Sequence, residues 1–223
     1  MVIPRTLIAL LLALVLAACS SSKSLEPSAT TAFGSNVTAP PAPVSTIADT
    51  TGLGRFIPVV NGLAPATARG ADTGPFDLNQ AVVRYHSKDS EARKRLTDGG
   101  FTGGFAASFT GEGGTTAGVQ LYELRDQAAA SDFASYIKEH AMQGIPNPNL
   151  PIAGVPGVVA FVQRQGVQRG AQPQPGQGAT QGTIGGALFV KGPYLAYVGV
   201  ASPSIDVSGT LTALAQAQYG VLP

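Results

Sequence analysis

From Phe101 to Phe109 the chain alternates with a period of two, placing Phe101, Gly103, Phe105, Ala107 and Phe109 on one side of an extended backbone. That pattern predicts a strand. The Gly111-Glu112-Gly113-Gly114 cluster that follows is a turn, and residues 117–124 form the next strand. Asp126 then caps a helix running to about Met142, with Ala129, Phe133, Ile137 and Ala141 recurring every fourth position on one stripe. The same order of strand, turn, strand and helix returns near the C-terminus. Residues 184–190 and 194–201 make a hairpin around Lys191-Gly192-Pro193, and a helix starts at Val207 or Ser208 and runs to about Tyr219, with Leu211, Leu214 and Ala215 facing inward. Shorter elements are a strand at 82–85, a helix at 89–98 stopped by Gly99-Gly100, and a strand at 157–163. The expected class is α+β: an antiparallel sheet with helices packed on one face. The two similar stretches, 101–142 and 184–219, raise two β-β-α repeats, with chance recurrence of a common motif as the alternative.

Two stretches carry no such periodicity. Residues 20–51 are mostly Ser, Thr, Ala and Pro, with Pro40-Pro41-Ala42-Pro43 in the middle. Large apolar side chains are too sparse there to offset the entropy of ordering the backbone. As a flexible tether this segment would reach about 30 Å root-mean-square. The second stretch, about 165–183, contains Gln172-Pro173-Gln174-Pro175-Gly176-Gln177-Gly178, has no aromatic residue and carries a single charge, Arg169. It is expected to be a long flexible loop between two strands.

The first eighteen residues follow a different pattern. Arg5 precedes an unbroken apolar run, residues 7–18, which is too short for the roughly 20 residues of a membrane-spanning helix. A basic start, a short apolar region and small residues at the end have the layout of a secretory signal peptide. Leu16-Ala17-Ala18-Cys19 closes it and resembles the lipobox of bacterial lipoproteins. The resemblance implies cleavage before Cys19 and acylation of its thiol. The expected organisation is a signal peptide at 1–18, a lipidated Cys19 with its tether at 19–51, and a single α+β domain at 52–223.

Composition narrows the function more than it names it. The chain has 14 Lys and Arg against 13 Asp and Glu, and Arg5 is the one charged residue ahead of Cys19, so the exported part is formally neutral. No global field is present to attract nucleic acid. Cys19 is the only cysteine, so once acylated it leaves no thiol, disulfide or cysteine-based metal site. The sequence has no nucleophile elbow, phosphate loop, dinucleotide fingerprint or zinc-protease motif. The Gly111–Gly114 cluster leads into a strand, so it offers no helix N-terminus to a phosphate. His86 and His140 stand alone and read as surface residues. Arg84-Tyr85-His86 with Arg93-Lys94-Arg95 makes a local basic patch partly balanced by Asp89, Glu91 and Asp98. Phe101, Phe105 and Phe109 are the candidate lining for an apolar ligand. The alternative is that they are the core of the sheet. Gly103 and Gly104 are expected to thin the packing beside them.

From Phe101 onward the chain resembles small exported domains in cell-envelope lipoproteins of actinobacteria. The residues concerned are Gly100-Phe101-Thr102-Gly103-Gly104-Phe105, Val119-Gln120-Leu121-Tyr122-Glu123-Leu124 and the Ala-rich run from Asp126 to Phe133. The resemblance implies location and fold class and carries across no catalytic residue. The expectation is a non-enzymatic domain without cofactor or metal, held to the outer face of the cell membrane by lipid on Cys19. It would bind an envelope partner or polymer. The alternative is a carrier of an apolar molecule such as a lipid or glycolipid.

Overall fold

The computed structural model describes residues 51–66, 73–85, 90–140, 142, 145, 149–164, 182–203 and 205–223. Cys19, the tether up to residue 50, His86 and nearly all of the 165–183 stretch lie outside them.

Seven strands form one antiparallel sheet: β1 (Leu63–Pro65), β2 (Gly74–Phe76), β3 (Gly103–Gly111), β4 (Thr116–Glu123), β5 (Val159–Arg164), β6 (Thr183–Lys191) and β7 (Tyr194–Ser202). Their order is β1-β3-β4-β7-β6-β5, with β2 also paired to β3. Among the described residues four α-helices accompany them: α1 (Leu78–Tyr85), α2 (Ser90–Asp98), α3 (Gln127–His140) and α4 (Ser208–Val221). The class is therefore α+β. The β3–β4 and β6–β7 hairpins, the helix after each, and the α2 helix fall where the apolar pattern puts them.

Local chemistry sets the ends of these elements. Asp126 Oδ1 accepts the Ala129 N–H at 2.8 Å and caps α3. Gly100 stops α2 with φ +64°. The Phe101 N–H reaches back to Leu96 O and the Gly100 N–H to Thr97 O, the paired bonds of a Schellman ending. Gly192, with φ +57°, turns the β6–β7 hairpin at a position where glycine is unstrained.

The stretch 82–85 is helical, not a strand: it is the end of α1. The cause lies upstream. Asp77 Oδ1 accepts the Gln80 N–H while Gln80 Oε1 accepts the Asp77 N–H, both at 2.9 Å. This reciprocal capping box starts a helix that a four-residue apolar window cannot reveal.

Helices lie on both faces of the sheet rather than on one. On the first face Phe105, Phe109, Leu121 and Val198 pack with Leu211, Leu214 and Ala215 of α4. On the second, Tyr122, Leu188 and Leu195 pack with Ala92 and Leu96 of α2 and with Phe133 and Ile137 of α3. Neighbouring residues in the central strands, such as Leu121 and Tyr122 or Leu188 and Phe189, are all buried. A strand apolar at both parities needs cover on both sides. The two hairpin-helix units are present, yet α3 and α4 take opposite faces. The antiparallel β4–β7 pairing relates the hairpins by a two-fold axis normal to the sheet. Such an axis would keep both helices on the same face, so the β-β-α units do not form a symmetric repeat.

Candidate functional site

Phe105 and Phe109 are buried in the first core, on the face that carries α4 and the 3-10 turn Leu53–Phe56. Phe101 precedes β3 and belongs to the second core, with its ring centre 6.3 Å from that of Phe76 and 6.1 Å from that of Tyr122. The three phenylalanines therefore do not make one lining. Phe101 leaves the period-two series because the Schellman ending of α2 turns the chain just before the strand begins. Gly103 and Gly104 leave no room either. The Thr51 methyl lies 2.9 Å from where a Gly103 Cβ would stand, and the Phe76 ring occupies the corresponding place above Gly104.

His140 is exposed at the end of α3, where its Nδ1 lies 3.0 Å from Tyr136 O and its ring stacks on Tyr136 at 4.4 Å. The basic patch is divided among separate partners. The Arg84 guanidinium lies 4.4 Å above the Phe76 ring. Arg95 bonds Glu91 on its own helix and both carboxylate oxygens of Asp132 on α3, and Lys94 pairs with Asp98. Among the described residues no group of three or more His, Cys, Asp or Glu side chains is placed to hold a metal ion. No described helix is long and apolar enough to cross a membrane.

A second thin place in the sheet is the row Gly118, Gly199 and Gly186, in register across β4, β7 and β6. Tyr197 and Phe161 lean over it: the Tyr197 hydroxyl and Phe161 Cε1 lie 3.0 and 2.7 Å from where a Gly186 Cβ would stand. Burial of that hydroxyl pushes the Tyr197 pKa up to about 12, so it stays protonated.

Open space lies elsewhere, beside α3. β5 pairs with β6 only as far as Val159 opposite Leu188, whereas β6 continues to Lys191. Before Val159 the chain turns at Gly157, with φ +66°. The outer edge of β6 from Phe189 to Lys191 thus has no strand beside it among the described residues. Between this edge and α3 is a cleft of about 580 Å³, within the roughly 300–1,000 Å³ of ordinary ligand pockets. One wall is a stripe of α3, where Gln127, Ser131, Ser135 and Lys138 recur every three or four residues over about 16 Å of helix. Leu188, Val190 and Val159 give it an apolar floor, and Tyr219 of α4 borders it.

Lys191 stands at the same edge. Its Nζ donates to Tyr219 O at 3.1 Å and Leu222 O at 2.6 Å, and lies 4.8 Å from the centre of the Tyr219 ring. It holds the C-terminal end of α4, where a cation suits the helix dipole. An ammonium has three N–H donors, so one remains. The sequence alone does not reveal this cleft, because a polar stripe on an amphipathic helix ordinarily faces water. The available signal was the stripe's near-neutral composition, two serines and a glutamine with one lysine.

No protein-family model matches the chain, and no curated protein is significantly similar to it. Among solved structures it is similar to the crystal structure of the extracellular domain of PknH from Mycobacterium tuberculosis, with 13% identity and a TM-score of 0.41 over 72% of this chain and 84% of that one. A likeness this distant says nothing of activity, partner or location.

Proposed function

We propose that the chain is an exported domain of the cell envelope, anchored by lipid on Cys19, that binds a partner or an envelope polymer and catalyses no reaction. The observation that carries the binding is the open cleft between α3 and the free edge of β6, with its hydrogen-bonding stripe and apolar floor. The anchor rests on the resemblance of Leu16-Ala17-Ala18-Cys19 to a lipobox after a short apolar run. A single acyl chain holds a protein only marginally, so stable attachment implies two or more.

Fractionation of cells tests the anchor: wild type partitions with membranes and Cys19→Ala is released. A Cys19→Ala chain that stays bound would end that part of the reading. Cross-linking in the intact envelope through a photoreactive residue at position 135 tests the binding, and a specific adduct is expected. Hydrolysis of an envelope ester, glycan or peptide by the purified protein would replace a binding role with an enzymatic one. A second reading, a carrier of a lipid or glycolipid, is favoured by Leu188, Val190 and Val159 beneath the cleft. Lipid released on denaturation in native mass spectrometry would put it first.

A further inference from the structure

We infer that the α3–β6 cleft takes an anionic amphiphile, a phosphate-type head group joined to an apolar body, with Lys138 as the residue that selects the charge. The inference rests on the carrier reading and gives it a site and a ligand chemistry.

The charge distribution points this way. Two of the residues lining the cleft are cationic, Lys138 and Lys191, and none is acidic. They stand on different walls, one on α3 and one at the end of β6. Of the carboxylates at or on α3, Asp126 bonds the Ala129 N–H and Arg125, Asp132 bonds Arg95, and Glu139, next to Lys138, is not among the residues lining the cleft. Lys138 is exposed and makes no ion pair or hydrogen bond among the described residues, so its charge is available. Lys191 is fixed in place by its two bonds to α4 and keeps one donor.

Ser135 donates its hydroxyl hydrogen to Ser131 O at 2.9 Å, so it offers a ligand only its lone pairs, and the Ser131 hydroxyl is the donor beside it. The Gln127 amide adds donors at the N-terminal end of the stripe. These neutral groups serve either sign of charge; the preference for an anion comes from the two ammonium groups and the absence of a carboxylate among the lining residues. Below the rim, the half-buried Val190 and Val159 offer a strip suited to a hydrocarbon segment rather than to a fully hydroxylated surface. The ligand is thus charged at one end and apolar along its length.

The test uses the full chain carrying Cys19→Ala, so that no acyl group of its own competes. Amide chemical shifts are followed by nuclear magnetic resonance while dihexanoylphosphatidic acid is added below its micelle concentration. Dihexanoylphosphatidylcholine and inorganic phosphate are titrated separately. The expected result is movement of the Ser131, Ser135, Lys138, Val190 and Gly192 amides with phosphatidic acid, weaker binding of phosphatidylcholine, and little movement with phosphate alone. Lys138→Gln should weaken phosphatidic acid about fivefold, the scale of one exposed charge pair, and leave phosphatidylcholine unchanged. Its unperturbed spectrum would confirm that the fold is kept. Equal binding of the two lipids with no effect of Lys138→Gln overturns the inference. So does phosphate moving the same amides as strongly as the lipid. Lipid binding that moves other amides, such as those around Phe105 and Phe109, sinks the cleft but keeps the carrier reading. Binding of neither lipid anywhere removes both.

Discussion

The ring of Phe76 lies on the backbone of Gly104, in the space where a side chain at that position would stand. Phe76 and Gly104 are directly paired across β2 and β3, and Phe76 also packs edge-on to Tyr122 at 4.9 Å. A missing side chain on one strand is filled by a large one on its neighbour, so the glycine creates close packing instead of a void. Gly104→Ala should therefore overpack the second core and cost about 1–3 kcal/mol. Urea denaturation of the single variant and of Gly104→Ala with Phe76→Leu checks this. The smaller partner should recover part of the loss, and additive losses would show that the two positions do not compete for the same space.

Phe133 is fully buried between Tyr122 and Tyr136, with ring centres 6.0 and 5.9 Å away. With Ile137 it is one of the large side chains by which α3 packs on the sheet. Phe133→Ala should cost about 3–5 kcal/mol, measured as a lowered denaturation midpoint with an unchanged slope. A loss under 1 kcal/mol would mean that α3 is not anchored through this ring.

Asp126 is held below the usual carboxylate range by the Ala129 N–H and then by Arg125. A group whose folded pKa is depressed stabilises the fold above its unfolded value and loses that contribution as pH falls through the folded one. The capping contribution should be complete near neutral pH and fade below about pH 4, the ordinary carboxylate range. Asp126→Ala should lower the melting temperature at pH 7, and the difference from wild type should shrink as pH drops from 4 to 2. A difference that stays constant over that range would place the effect outside the carboxylate's charge.

Lys191 ties the β6–β7 turn to the last turn of α4 through Tyr219 O and Leu222 O. Lys191→Met keeps the aliphatic stem and removes the donors. It should cost about 1 kcal/mol, and hydrogen exchange should show faster opening confined to the C-terminal turn of α4. Uniformly faster exchange across both cores would instead assign Lys191 a global role.

Much of this fold was readable one residue at a time. The Phe105–Phe109 alternation, the Asp126 cap, Gly99-Gly100 after α2 and the Lys191-Gly192-Pro193 turn act through backbone geometry and neighbours close in the chain. Residues 82–85 fit either period, so the strand expected there from the sequence is a helix in the fold. The deciding signal was the Asp77–Gln80 box just before them. The cleft was not readable, since Gln127, Ser131, Ser135 and Lys138 form an ordinary solvated stripe until β5 is seen to stop at Val159.

The two hairpins, the helices that follow them, α2 and the Asp126 cap follow from the sequence alone, because they depend on side-chain period, φ preferences and hydrogen bonds within a few residues; β1, β2 and the helical state of 82–85 do not. Only the tertiary structure decided which face each helix covers, that Phe101 leaves the company of Phe105 and Phe109, and where an opening remains beside α3. Those outcomes depend on packing between segments far apart in the chain. Gln218 on α4, fully buried, donating to Phe56 O at 3.0 Å is one such contact. Side-chain volume and strand length, matched across the whole sheet, set which gaps are filled and which stay open.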